Sequence, residues 1–444
     1  MHNIPASAVP LPTEGVVGHL TPTQKTALSN FWKELFALLD AAPVEGTGPK
    51  PKEKEKEHVP KDDAAKEAYR AEQERKDAQA AFTEFGSQKF MTSFWELVAM
   101  DDPDAIVLKF LRARKWNVSA GVAMLASCIK WRISYQVNRV VAKGEEGMQD
   151  VDGFIAQLEM GKSYSQGTDY FGRPIIYLNI AKHHAKDQPQ KSLEDFIVNQ
   201  MENIRCLFAP PVDKVIMVFN MEGFGMNNMD MKCLMFIVKC LEAYYPESLH
   251  KILVHSAPWV FNQIWKVVAP MLDPVVRAKV EMTKTPEDLI AHIPKQHLIK
   301  SLGGFSEWEW NYIPVMRGEN VMQSDTKGTK IQLDARCANI ANFETLTREW
   351  ILSPNSEVAD TKREILKLEM RAQYFLLDPY IRGRGAYHRL GNVIGNGLVS
   401  FSHPYRSTDG SVAEWETRGQ KYSMEGCLIE AARLRRKLEL EIKE

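Results

Sequence analysis

Between residues 173 and 282 the sequence places four short apolar runs rich in β-branched residues: RPIIYLNIA (Arg173–Ala181), KVIMVFNM (Lys214–Met221), KILVH (Lys251–His255) and Lys279–Met282. Stretches with helical spacing separate them, at Leu193–Phe208, Asn228–Tyr245 and Trp259–Met271. Two parallel strands need a crossover of a dozen or more residues between them, usually a helix. Strand and helix alternating at this spacing therefore predict β-α-β units around a mainly parallel sheet.

The flanking sequence has a different rhythm. Thr21, Pro22 and Gln24 form a helix start with a Thr-x-x-Gln capping box, and Leu28, Phe31, Trp32, Leu35, Phe36 and Leu39 follow at helical intervals. Residues 16–42 are thus read as an N-terminal helix. Residues 43–79, with PKPKEKEKEHVPKDD, are charged and almost without large apolar groups, and are read as a flexible insertion. Helical patterns at Phe90–Ala99, Pro103–Arg114 and Ser119–Gln136 make residues 85–140 a helical lobe. The sheet-bearing domain covers 150–309. Beyond it, 310–444 reads as a helical extension, with amphipathic stretches at Asp360–Leu377 and Met424–Ile442 around a glycine-rich loop, GRGAYHRLGNVIGNG.

Composition removes several functions. Lys and Arg total 56 against 57 Asp and Glu, so no basic excess exists to drive nucleic-acid binding. Six cysteines without a C-x-x-C pair argue against a disulfide framework or a zinc module, and no metal or cofactor is expected. The first residues, MHNIPASAVPLPTEG, lack a cationic start and an apolar core, so no secretory signal is expected. The richest apolar stretch, CLMFIVKCL, is broken at Lys239. A cytoplasmic protein whose membrane contact is peripheral follows from this reading.

Catalytic signatures are missing as well. The sequence has no G-x-S-x-G elbow, no G-x-x-x-x-G-K-[ST] loop and no H-E-x-x-H helix. Gly223-Phe-Gly225 and Gly383-Arg-Gly385 lack the third glycine of a dinucleotide fingerprint, having Asn228 and His388 in its place. The pair His183–His184, at a strand exit, reads as part of a solvated loop. No catalytic residue is expected.

A specific signal lies in the order of motifs. FLRARKWNV (Phe110–Val118), Trp131–Arg132, TDYFGRPIIYLNI (Thr168–Ile180), FNMEGF (Phe219–Phe224), EAYYPE (Glu242–Glu247), SAPWVFNQIWKVVAPMLDP (Ser256–Pro274) and HLIKSLGG (His297–Gly304) follow one another. This series resembles the CRAL-TRIO lipid-binding family, and most closely its fungal phosphatidylinositol transfer proteins. LDPYIRGRGAYH near the C-terminus is similar to one extended fungal branch of that family.

The resemblance implies an α/β fold. A helical N-terminal lobe precedes a lobe with a mainly parallel sheet, an apolar lipid cavity and a gating helix, and a C-terminal helical extension follows. It also implies a non-catalytic protein that moves phosphatidylinositol between membranes. A lipid-sensing interaction module that regulates lipid metabolism or membrane trafficking is the alternative, with a neutral or sterol-like second ligand and a protein partner for the extension. Peripheral association with endosomal, microsomal or Golgi membranes goes with either reading. A phosphoinositide calls for cations at its phosphate and a carboxylate for its hydroxyls. By the family's motifs, Arg114, Lys115, Asp169, Glu247 and Lys279 hold headgroup positions, although Glu247 and Lys279 also suit a plain ion pair. Cavity and gate are assigned to Val215, Met217, Phe219, Trp259, Phe261, Ile264, Trp265 and Val268. Residues 259–268 are apolar on more than one helical face, as a gate requires. Val276 replaces a common threonine of the inositol pattern. Val215, Met217, Ser165 and Ile176 replace the hydroxyl residues of a choline-lipid site, which implies that this second site is lost.

Overall fold

Thr21 opens the first helix as its capping box predicts. In the computed structural model, which describes residues 10–12, 14–48, 62–354, 356–401 and 416–441, the Thr21 hydroxyl accepts from the Gln24 amide at 3.3 Å. The Gln24 side chain in turn accepts from the Thr21 amide at 3.0 Å. Two backbone donors that the helix cannot satisfy are thereby paired.

The chain forms two compact units. The helical one comprises residues 12–139, 324–381 and 421 onward. Its helices Pro22–Ala41, Asp63–Val98, Pro103–Ala113, Val118–Tyr135 and Thr326–Leu352 close over Phe31, Trp32, Leu35, Phe90, Phe94, Phe343 and Trp350. Glu357–Ile381 packs beside them and against Met424–Glu441 through Ile365, Leu368, Cys427 and Ala431. One buried carboxylate ties three of these helices together. Asp104 accepts from Trp32 Nε1 at 2.8 Å, from Arg363 at 2.8 Å and from Lys367 at 3.3 Å.

Residues 63–79 are not part of a flexible insertion. Asp62 accepts from the Ala65 amide at 2.9 Å and caps a 36-residue helix that starts at Asp63. Its charged side chains find partners within the unit: Glu74 pairs with Arg114, and Asp77 accepts from Ser127 at 3.1 Å and Lys130 at 2.9 Å. AEQERKDAQAA is also made of strong helix formers, so low hydrophobicity did not mean disorder. The remainder of the segment, residues 49–61, lies outside the described residues.

The second unit holds residues 140–323 and 382–420. Strands β1 (Ser163–Thr168), β2 (Pro174–Asn179), β3 (Val215–Asn220), β4 (Leu249–His255) and β5 (Val280–Thr283) lie side by side in chain order. β1 is antiparallel to β2, and the rest are parallel. All four apolar runs are therefore strands. β1, SYSQGT, is too polar to be read as one, yet all six of its residues are buried. The turn at Asp169–Gly172 folds it onto β2. The Asp169 carboxylate accepts from the amides of Phe171 and Arg173 at 2.8 Å each.

Strands in sequential order joined by right-handed crossovers put their helices on one face. Here these are Gln190–Arg205, Met231–Lys239 and Phe261–Val268. The opposite face carries Ile175, Tyr177, Ile216, Val218 and Leu253 against Leu289, Ile293, Leu298 and Leu302. Residues 382–420 are not simply helical. They add an antiparallel sheet of β6 (Val393–Gly395), β7 (Leu398–Phe401) and β8 (Glu416–Arg418). The Gly-Arg-Gly motif is a packing device. A Cβ on Gly383 would lie 2.5 Å from the Gly144 amide nitrogen, so only glycine permits this backbone approach. Among the described residues no helix is long and apolar enough to cross a membrane.

Candidate functional site

Strand alternation builds the site. Ile176 and Leu178 of β2, Met217 and Phe219 of β3, and Ile252 and Val254 of β4 share the crossover face and line a cavity of about 200 Å³. Phe196, Ile197 and Ile204 of the first crossover helix close one side, and Leu234, Ile237 and Val238 of the second close another. The third crossover helix supplies Phe261, Ile264, Trp265 and Val268. Phe261 and Trp265 stack with centroids 6.5 Å apart, and Val268 packs on Val238 and Leu272. The outer side of this helix region is also apolar: Trp259 is 79% exposed and Val267 63%.

Two residues assigned to the cavity are placed elsewhere. Val215 shares the parity of Met217 but is buried off the wall, at the start of β3, where the register with β4 skips a residue. Trp259 points to solvent ahead of the helix, because the helix begins only at Phe261. His183 departs from its reading as a solvated residue. It is on the cavity wall, with Nε2 3.2 Å from Asp230 Oδ2, and burial pushes its pKa below the ordinary histidine value.

Cations gather at the amino ends of the strands. Arg173 precedes β2, Lys214 precedes β3, Lys251 lies in β4 and Lys279 precedes β5. In-register parallel strands bring these positions to one edge of the sheet. Arg173 pairs with Asp169 at 2.8 Å, Lys214 with Glu247 at 2.9 Å and Lys251 with Glu281 at 2.6 Å. Lys279 has no carboxylate within salt-bridge distance among the described residues and donates to the Leu249 carbonyl at 2.9 Å. Its pKa is lowered by burial. His250 is pushed down to about 3, by burial and by the charges of Arg173, Lys214, Lys251 and Lys279. Val276 and Val280, on either side of Lys279 in the chain, line the cavity. An apolar chamber thus runs up to a cationic edge.

The geometry agrees with what known proteins share with this chain. The family model for the CRAL/TRIO domain matches residues 158–304, and that for the CRAL/TRIO N-terminal domain matches 47–127. A CRAL-TRIO domain-containing protein of Schizosaccharomyces pombe is 35% identical over 312 residues, 70% of each chain. This chain belongs to the CRAL-TRIO family. The phosphatidylinositol transfer protein CSR1 of Eremothecium gossypii is 37% identical over 301 residues, covering 66% of this chain and 69% of that protein. A second S. pombe CRAL-TRIO domain-containing protein is 28% identical and is covered over 91% of its length.

Within this CRAL-TRIO protein the five headgroup candidates are dispersed. Glu247 and Lys279 lie at the cationic edge, with Glu247 at φ 56°, a left-handed backbone uncommon for a residue with a side chain. The two are not paired with each other. Asp169 has its carboxylate engaged by Arg173 and two amides, which accounts for it as a turn residue without any ligand. Arg114 and Lys115 belong to the helical unit. There Arg114 Nε donates to Glu74 at 3.0 Å, and Lys115, largely exposed, is 3.7 Å from Glu67. Lys214 and His250 were overlooked in the sequence, although a signal existed: each of the four apolar runs opens with a basic residue. Ser165, in the place of a tyrosine of the choline-lipid pattern, is met by another one. Its amide donates to the Tyr387 hydroxyl at 2.8 Å, and that hydroxyl donates to Gln200 on the cavity wall at 3.1 Å.

Proposed function

We propose that the protein takes up phosphatidylinositol, with its acyl chains in the cavity and its phosphate and inositol at the cationic strand edge, and carries it unchanged between membranes. The observation that carries this reading is the position of Lys279: a half-buried ammonium with no carboxylate partner, flanked in the chain by the wall residues Val276 and Val280. A phosphodiester supplies the charge-assisted acceptor such a group needs. Glu247 is near enough to influence Lys279 electrostatically and is the carboxylate for the inositol hydroxyls. The similarity to a phosphatidylinositol transfer protein supports the same lipid class. Exposed Trp259 and Val267 suit transient contact of the Phe261–Val268 helix with a bilayer, where it would open.

The test is transfer of labelled phosphatidylinositol between vesicles, together with native mass spectrometry of the purified protein. One phospholipid retained per chain and saturable transfer are expected. An empty protein that moves no phosphatidylinositol would refute the reading.

A further inference from the structure

The opposite end of the cavity, at the carboxyl ends of the strands, has a polar cluster that the headgroup reading does not use. Lys162, just ahead of β1, is on the cavity wall and only 5% exposed. An ammonium carries three N–H donors. Among the described residues its one hydrogen bond goes to Gln188 Oε1, at 2.5 Å. His183 and Asp230 are on the same wall, 3.2 Å apart between Nε2 and Oδ2, and the other Asp230 oxygen accepts from the Cys233 amide at 3.0 Å. Asn228 is already committed to the carbonyls of Ala181 and His183, at 3.1 and 3.0 Å. Lys162 and Asp230 therefore retain hydrogen-bonding capacity toward an otherwise apolar chamber.

Charge decides what can fill it. Lys162 feels two carboxylates, Asp187 and Asp230, while burial and Lys162 itself disfavour the protonated form of His183. One ammonium is thus already outweighed by negative charge, and an entering anion would be repelled in a low-dielectric site. An uncharged oxygen is not. A hydroxyl can accept from Lys162 and donate to Asp230, whose carboxylate oxygens have lone pairs to spare.

We propose that Lys162, Asp230 and His183 form a second polar subsite in the cavity, which binds the hydroxyl group of a neutral lipid, a sterol or a diacylglycerol. It rests on the cavity being a lipid site, as proposed above. The subsite selects alcohols over both esters and acids, since an ester cannot donate to Asp230 and an acid adds charge.

The test measures binding to the full-length protein of dehydroergosterol, its 3-acetate, a fluorescent diacylglycerol and the triacylglycerol made from it, with oleate as the anionic probe. At least one alcohol should bind about tenfold or more tighter than its ester, the loss expected for one charge-assisted hydrogen bond. Whichever alcohol shows the preference identifies the source. Lys162→Met should bring alcohol and ester within about twofold. Asp230→Asn, which still caps the helix, should raise oleate affinity by removing the repelling charge. Equal binding of alcohol and ester by the unaltered protein, or tighter binding of oleate than of either alcohol, overturns the proposal. If Lys162→Met does not fold, the ratio in the unaltered protein and the Asp230→Asn result decide it. Phosphatidylinositol transfer by the unaltered protein is measured alongside. Its absence would refute the transfer reading alone, since alcohol selectivity is read independently.

Discussion

Glu247 is paired with Lys214, 2.9 Å away, and leaves Lys279 to donate to a backbone carbonyl. The two residues that the motifs suggest as partners are therefore separate groups at one strand edge, and their substitutions should have different consequences.

Lys279→Ala is expected to lower phosphatidylinositol transfer about ten- to a hundredfold, about 1.5–3 kcal/mol for a charge-assisted contact, with transfer of a neutral lipid preserved. Glu247→Ala removes a partly buried pair as well as a hydroxyl acceptor. A double-mutant cycle with Lys214→Ala should show coupling of about 1 kcal/mol in stability, and a cycle with Lys279→Ala close to none. Equal loss of both lipids would make the edge structural.

The helix that closes the cavity offers two contrasting tryptophans. Trp259→Asp, at an exposed position, should change stability by no more than about 0.5 kcal/mol while weakening vesicle binding, because a carboxylate must be desolvated at the bilayer. Trp265→Asp puts that charge on the cavity wall and should cost about 3 kcal/mol or more in folding. Vesicle sedimentation beside chemical denaturation separates the two effects. Unchanged vesicle binding by the Trp259 variant would remove it from membrane contact.

Tyr387 holds the cavity wall from behind. Tyr387→Phe leaves the Ser165 amide and the Gln200 carbonyl without this partner, and a loss of about 1–3 kcal/mol per unsatisfied group is expected in urea unfolding. Met217 and Ile176 present no hydroxyl to the chamber, so phosphatidylcholine transfer should stay well below that of phosphatidylinositol in the unaltered protein. Efficient phosphatidylcholine transfer would refute the loss of the choline-lipid site.

His250 predicts an acid-sensitive edge. Its folded pKa of about 3, set by burial and then by the surrounding cations, lies below the unfolded value near 6.5. The unfolded chain binds the proton more readily between these values, so stability is fully present above pH 6.5 and is lost as pH falls toward 3. Denaturation at pH 7.5 and pH 5 should show the loss, and His250→Gln should reduce it. Bound phosphatidylinositol should reduce it too, since its phosphate offsets the cations around the ring. A pH response identical in the variant would exclude His250 as its source.

Local pattern reveals burial along an element but not what the element meets. The four parallel strands were legible because each is buried on both faces and reads as an apolar run. The Phe261–Val268 helix was legible because its apolar residues exceed one face. β1 was not, since SYSQGT is a strand only by pairing with β2. The helix from Asp63 was missed because its charges are matched by Arg114 and Lys130, which lie far along the chain.

The sequence by itself determined the family, the order of strands and helices, and an apolar cavity closed by an amphipathic helix, because periodicity and motif order are properties of neighbouring residues. Only the tertiary structure decided which polar groups meet. Ser165 and Tyr387 bond across 222 residues, Lys214 rather than Lys279 takes Glu247, and His183 turns from solvent to Asp230. Such pairings depend on distances between elements, and those are set by packing, which no local spacing encodes.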